Sequence, residues 1–178
     1  MVKNKKSNSG FTLIELLLVI VVIGALATVG FSILNPAEMN RKARDSRRLS
    51  DLGMLRRSID LSMADNNKLP TTNKIFIAVN SSMNPAAFGG GTGIDISKYI
   101  NSVPQDPSYD SAGGNIQIAK GDCTTTNNTK DQMQYEFSSD GTTYILQSRM
   151  ESVNNCNLLS QDSDPNYYEL GTQKDLKW

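Results

Sequence analysis

Apolar residues are gathered near one end of this chain. Eighteen of the 24 positions Phe11–Leu34 are apolar, and Glu15 is the sole charge among them. At 1.5 Å per residue such a run makes a helix of about 36 Å, enough to cross a hydrocarbon layer of roughly 30 Å. Elsewhere about one position in three is apolar, which is thin for a globular core. The pattern predicts a lipid-soluble rod joined to a small, polar, loop-rich head.

Asn35-Pro36 interrupts the rod. Proline has no N–H and its ring clashes with the preceding turn, so a kink or a fresh helix start is expected at Pro36. Gly24 and Gly30 weaken the helix ahead of it. With Ala25, Ala27 and Thr28, Gly24 also offers small residues on which another helix could pack closely. From Ala37 to about Asn66 the period is helical. Leu49, Leu52, Leu55, Ile59 and Met63 recur at three- and four-residue spacing, and Met39 and Ala43 continue the stripe more weakly. The head is expected to pack there. Arg41, Lys42, Arg44, Arg47, Arg48, Arg56 and Arg57 share this helix with five carboxylates and are read as a solvated face. No aromatic lies between Met39 and Met63, so bases would have nothing to stack on and no direct binding of nucleic acid is expected.

Asn66-Asn67-Lys68-Leu69-Pro70 ends the helix. Lys74–Val79 reads as a short strand or a helix fragment, and Phe88–Gly93 as a flexible loop that lacks the lysine of a phosphate cradle. Gln134–Ser138 and Thr142–Glu151 flank Asp140-Gly141, a type I′ hairpin signal. Asn166–Leu170 is a candidate third strand.

Charge and composition narrow the chemistry. The chain has 18 basic and 18 acidic residues, no histidine and two cysteines. Without histidine there is no Ser-His-Asp or Cys-His nucleophile and no histidine-containing zinc site. Nucleotide-binding and hydrolase motifs are absent too. Carboxylates alone can run glycoside chemistry, but a non-enzymatic role is expected.

Ahead of the apolar run, Met1–Gly10 is short, polar and basic through Lys3, Lys5 and Lys6. A secretory signal carries its small-residue cleavage site after the apolar region. Here the small residue at the polar–apolar junction is Gly10, so a cut there would leave the apolar run on the mature chain. Glu15 stands within that run, where a carboxylate is costly and reads as functional. Together Gly10-Phe11-Thr12-Leu13-Ile14-Glu15 resembles the processing site of type IV pilins and of the pseudopilins of type II secretion and competence systems. The resemblance implies cleavage after Gly10 by a prepilin peptidase and N-methylation of Phe11. It implies assembly into a homo-oligomeric helical filament, in which Glu15 meets the Phe11 amine of an incoming subunit. It also implies that the helix loosens between Gly24, Gly30 and Pro36 inside the filament.

Lys3, Lys5 and Lys6 favour a cytoplasmic N-terminus, whereas Arg41 to Arg48 argue the other way. The resemblance places the leader inside and the head outside, giving a single-pass protein of the cytoplasmic membrane and later an extracytoplasmic filament. Membrane lipid, an inner-membrane assembly platform and minor pilins are the implied partners. The expected architecture is α+β, a pilin-like lollipop. Its parts are a cleaved leader (1–10), a transmembrane helix (11–34), an amphipathic helix (35–66) and a loop-rich head with an antiparallel sheet (67–178).

Ser97–Pro107, an apolar patch followed by Pro104-Gln105-Asp106-Pro107, resembles a segment of the major pseudopilins, although Ser108-Tyr109-Asp110 replaces their aromatic-Gly continuation. Some pseudopilin heads hold calcium in a C-terminal loop; Asp162, Asp164 and Asn166 are the matching oxygen ligands here, with a solvated acidic turn as the alternative. If the head is exported, Cys123 and Cys156 meet an oxidising envelope, where a disulfide is expected, buried free thiols being the alternative. Pro-Gln-Asp-Pro points to a pseudopilin, whereas the cysteine pair and the Asn/Thr-rich head point to a true pilin for adhesion, motility or DNA uptake. A membrane-anchored binding module or enzyme is the competing class, and would act without a filament.

Overall fold

The computed structural model describes residues 10–33, 35–65, 68–77, 94–159 and 164–172, without the side chains of residues 29–33 and 73–77. The chain divides into two compact units, Met1–Ala37 and Glu38–Trp178. In the first, helix α1 (Leu13–Ile33) is continuous through Gly24 and Gly30. Thr12 starts it. The Glu15 N–H donates to the Thr12 carbonyl at 3.1 Å and to its hydroxyl at 3.4 Å, at the Thr-x-x-Glu spacing of a capping box. Among the residues with described side chains no helix is long and apolar enough to cross a membrane. Those of α1 end at Thr28, while the helix goes on to Ile33. Asn35 is not helical, and α2 (Pro36–Ala64) begins afresh with proline in its first turn, where the missing N–H has no intrahelical partner to lose.

The second unit adds six strands: β1 (Thr71–Ile77), β2 (Asn115–Ala119), β3 (Thr125–Thr129), β4 (Tyr135–Asp140), β5 (Tyr144–Ser148) and β6 (Tyr168–Gly171). Four of them form an antiparallel sheet in the order β1-β4-β5-β6. This is the α+β arrangement of a pilin-like fold. Strand alternation puts Tyr135, Phe137, Tyr144 and Leu146 in one buried cluster with Leu52, Leu55 and Ile59 of α2, closed by Leu69, Ile94, Ile96 and Ile100. Leu49 and Met63 are partly buried at the margins. Upstream the stripe departs from expectation. Met39 and Ala43 are exposed, and the buried face is continued by Asp45 and Arg48 instead.

Lys74–Ile77 belongs to β1 and is not helical; Val79 lies outside the described residues. The hairpin turn also differs from expectation. Asp140 and Thr143 close it through Asp140 N–H to Thr143 O at 3.2 Å, so Gly141-Thr142 is the central pair. Only Gly141 has positive φ (+90°), the type II′ pattern rather than I′. Gly171 sits where a Cβ would stand 2.1 Å from the Tyr144 carbonyl oxygen, so β5 and β6 approach only because no side chain intervenes.

The separate ribbon β2–β3 has no clear sequence signal, since β3 reads Thr-Thr-Asn-Asn-Thr. Its ties to the rest of the unit include Ala119 N–H to Met150 O (2.8 Å), Gly121 N–H to Pro165 O (2.7 Å), Arg41 Nη2 to Gln117 Oε1 (3.3 Å) and a Cys123–Cys156 disulfide with Cα atoms 5.1 Å apart.

Candidate functional site

The Gly10–Phe11 bond lies in non-helical chain ahead of α1. A Cβ built on Gly10 would meet nothing within 4 Å, and Phe11 is 85% exposed, so the bond is open to a protease. Leu13, Ile14, Leu16 and Leu17 follow, all exposed. An uncovered apolar surface of this extent marks a membrane or protein interaction site. Glu15, in the first turn of α1, comes four residues after Phe11, which stands just ahead of the helix. Gly24 is likewise open, with nothing within 4 Å of its Cβ position.

The second concentration of chemistry is buried. Arg48 has no exposure, and its guanidinium lies among three carboxylates: Asp45 (2.7 Å), Asp106 (2.7 and 2.8 Å) and Glu151 (2.7 Å). Ser108 accepts a fifth hydrogen bond from Arg48 at 2.9 Å and itself donates to Glu151. Asp45 is fully used as well, accepting from Glu151 N–H, Ser152 N–H and Asn155 Nδ2, each at 2.9 Å. Arg44 grips Glu151 from the partly open side. Burial pushes the Glu151 carboxyl up, but Arg44, Arg48 and Ser108 outweigh it and bring it down to about 2. Burial and the neighbouring Asp106 and Asp51 carboxylates push the Tyr135 phenol up; its hydroxyl donates to Asp51 at 2.8 Å.

This junction fastens α2 to the Pro-Gln-Asp-Pro segment and to the chain leaving β5. The solvated face expected for this helix does not hold here: Asp45 and Arg48 are buried and Arg44 is half-buried. The usable signal was position: counting back from Leu52, Leu55 and Ile59 at helical spacing lands on Arg48 and Asp45, charges on the apolar side of α2. Such charges persist in a core only when paired and hydrogen-bonded.

Of the proposed calcium ligands, Asp162 lies outside the described residues. Asp164 Oδ1 accepts from the backbone and side-chain amides of Asn166 (3.0 and 2.8 Å). Asn166 Oδ1 is buried with no hydrogen-bond partner among the described residues. No group of three or more His, Cys, Asp or Glu able to hold a metal occurs among those residues.

An apolar helix opened by a Gly-Phe junction and a first-turn glutamate, followed by a small α+β head, defines a subunit of the prepilin class. The family model for the prokaryotic N-terminal methylation motif matches residues 5–31. The type II secretion system core protein G of Aeromonas hydrophila is 33% identical over 107 residues, covering 58% of this chain and 69% of that protein. Its namesake in Klebsiella pneumoniae is 36% identical over 100 residues (55% and 67%), and that of Vibrio cholerae 31% over 106 residues (59% and 68%). The chain belongs to the family of type II secretion system core protein G. No solved structure matches it.

Proposed function

We propose that this chain is made as a single-pass protein of the cytoplasmic membrane with its head outside, is cleaved after Gly10 and methylated on Phe11, and is then polymerised through α1 into a short pseudopilus serving protein secretion. The carrying observation is the accessible Gly10–Phe11 junction joined to a helix whose apolar side chains are left uncovered. Lipid covers such a surface before assembly, and neighbouring α1 helices cover it afterwards. Prepilin peptidase, an inner-membrane assembly platform and minor pilins are its partners, and its role is structural rather than catalytic. Loosening of α1 between Gly24 and Pro36 during polymerisation belongs to the same proposal.

Intact-mass measurement of membrane-extracted protein tests it. The expected chain begins at Phe11, carries one methyl group and has 15 basic against 18 acidic residues, because Lys3, Lys5 and Lys6 leave with the leader. A mature mass that retains Met1–Gly10 contradicts the proposal. Electron microscopy should show short envelope-bound fibres; long surface fibres would instead make the chain a true pilin.

Calcium at Asp162, Asp164 and Asn166 is a further part of the proposal, supported by the unpartnered Asn166 Oδ1. Millimolar calcium should raise the melting temperature of the protein and not that of Asp164→Ala; equal curves with and without calcium would dismiss it.

A further inference from the structure

Among the described residues of the second unit, four large apolar side chains are well exposed: Met39, Met54 and Leu61 on α2, and Leu158 at the end of the 3₁₀ segment Val153–Leu158. Met54 and Leu61, each 42% exposed, line a groove of about 640 Å³ with Gly53, Arg57 and the Lys98-Tyr99 turn. A Cβ on Gly53 would meet nothing within 4 Å, so the backbone of α2 can be approached closely there. The facing wall is held in place. Asp65 accepts from Lys98 Nζ at 2.5 Å and from the Tyr99 hydroxyl, while Asp95 accepts from the Ser97 N–H and hydroxyl at 2.9 and 2.6 Å.

The charge of the groove is specific. Arg47 and Arg56 are paired along the helix with Asp51 and Asp60 at 3.8 and 3.6 Å. Arg57 has no ion pair among the described residues. A groove with apolar lining and an available guanidinium fits a segment that presents an apolar knob beside a carboxylate. The same chain carries such a segment. Leu158, 40% exposed, lies two residues after Cys156, whose disulfide holds Cys123, the sequence neighbour of Asp122, with the two Cα atoms 5.1 Å apart. The only ion pair of Asp122 among the described residues is a 3.5 Å contact with Lys120, exposed on both sides. Pairs of that kind contribute little and re-pair readily.

We propose that the α2 groove of one copy receives the disulfide-clamped corner of a second copy, with Leu158 seated between Met54 and Leu61 and Asp122 against Arg57. The proposal rests on the filament reading above. Groove and corner are different patches of one chain, so the contact is heterologous and repeats head to tail, as an open helical filament requires.

The test uses the full-length protein in its own membrane and reads the fraction of processed chain in sedimentable filaments. Arg57→Asp, Asp122→Arg and Leu158→Asp should each lower that fraction about tenfold, and Arg57→Asp combined with Asp122→Arg should recover it to within about threefold of wild type. Limited proteolysis with wild-type resistance of the head confirms that each variant has folded. Normal filaments from Arg57→Asp and Leu158→Asp overturn the interface and leave the filament reading standing, as does a double variant no better than its parents. Absence of filaments from the wild type sinks the filament reading and the interface with it. A photo-reactive phenylalanine analogue in place of Leu61 gives an independent readout. Adducts to the peptide containing Leu158 support the contact; adducts only elsewhere overturn it.

Discussion

Arg48 holds both carboxylate oxygens of Asp106, Nε to Oδ2 at 2.7 Å and Nη2 to Oδ1 at 2.8 Å, across 58 positions of sequence and with no more than 1% of either side chain exposed. The fork-to-fork geometry fixes the Pro-Gln-Asp-Pro segment against α2 in one orientation. A buried ion pair gains little over a well-packed apolar pair, but removing one partner strands the rest. Here the loss of Arg48 would leave the buried Asp106 without its cation and take one partner each from Asp45 and Glu151.

Arg48→Ala should therefore cost about 3–5 kcal/mol. Chemical denaturation of the detergent-solubilised protein measures it. A loss below about 1 kcal/mol, the size of a surface pair, would mean that the junction does not hold the head together.

Acid should act through Glu151. Its carboxyl ionises at about 2 in the folded head against an ordinary 4.5. The group binds fewer protons folded than unfolded, so its contribution is complete above about pH 4.5 and is lost as pH falls toward 2. That contribution is of order 2 kcal/mol. Stability measured from pH 6 to pH 2 should fall across this window, and Glu151→Gln should start lower and fall less steeply. Parallel curves for the two proteins would remove Glu151 from the explanation.

The Cys123–Cys156 bridge closes a long polar segment with little apolar surface of its own. In the chain-entropy model its removal costs about 3–4 kcal/mol. The other ties of the ribbon are a few hydrogen bonds and the packing of Ala119 on Met150 and Leu159, so amide exchange in Cys123→Ser/Cys156→Ser should quicken first in Asn115–Thr129, ahead of β4 and β5. Uniform quickening throughout the head would show instead that the bridge supports the whole unit.

What could be read in the sequence follows from how local each signal is. The Gly10–Glu15 motif, the apolar α1 and the Leu52, Leu55, Ile59 face of α2 are set by neighbours in sequence, and each is legible there. Arg48 and Asp45 are legible only as charges on the apolar face of α2; Asp106 and Glu151 lie 58 and 103 positions from Arg48, and only the fold shows that they converge there. The β2–β3 ribbon escapes for a related reason. Its second strand has no apolar alternation, and long-range ties supply what its side chains do not. Gly141 announces a hairpin, but choosing between II′ and I′ depends on which residues close the turn, and strand register decides that.

In the proposed filament, assembly turns on Glu15 and the amine that cleavage after Gly10 would create at Phe11. Unit charges about 6 Å apart attract by about 3 kcal/mol at an effective dielectric near 20, and lipid offers no hydrophobic reward for helix association to compete with that. Removing the carboxylate should not harm insertion, since an apolar residue is favoured there, and the proposed cleavage after Gly10 should persist, since the carboxylate is not part of that peptide bond. The most direct measurement is the filament yield of Glu15→Leu, matched to wild type for membrane level and processing. Processed protein that accumulates in the membrane with filaments reduced at least about tenfold, the counterpart of losing 1.4 kcal/mol or more, is the expected result. Filaments of normal number and length would contradict assembly through this pair.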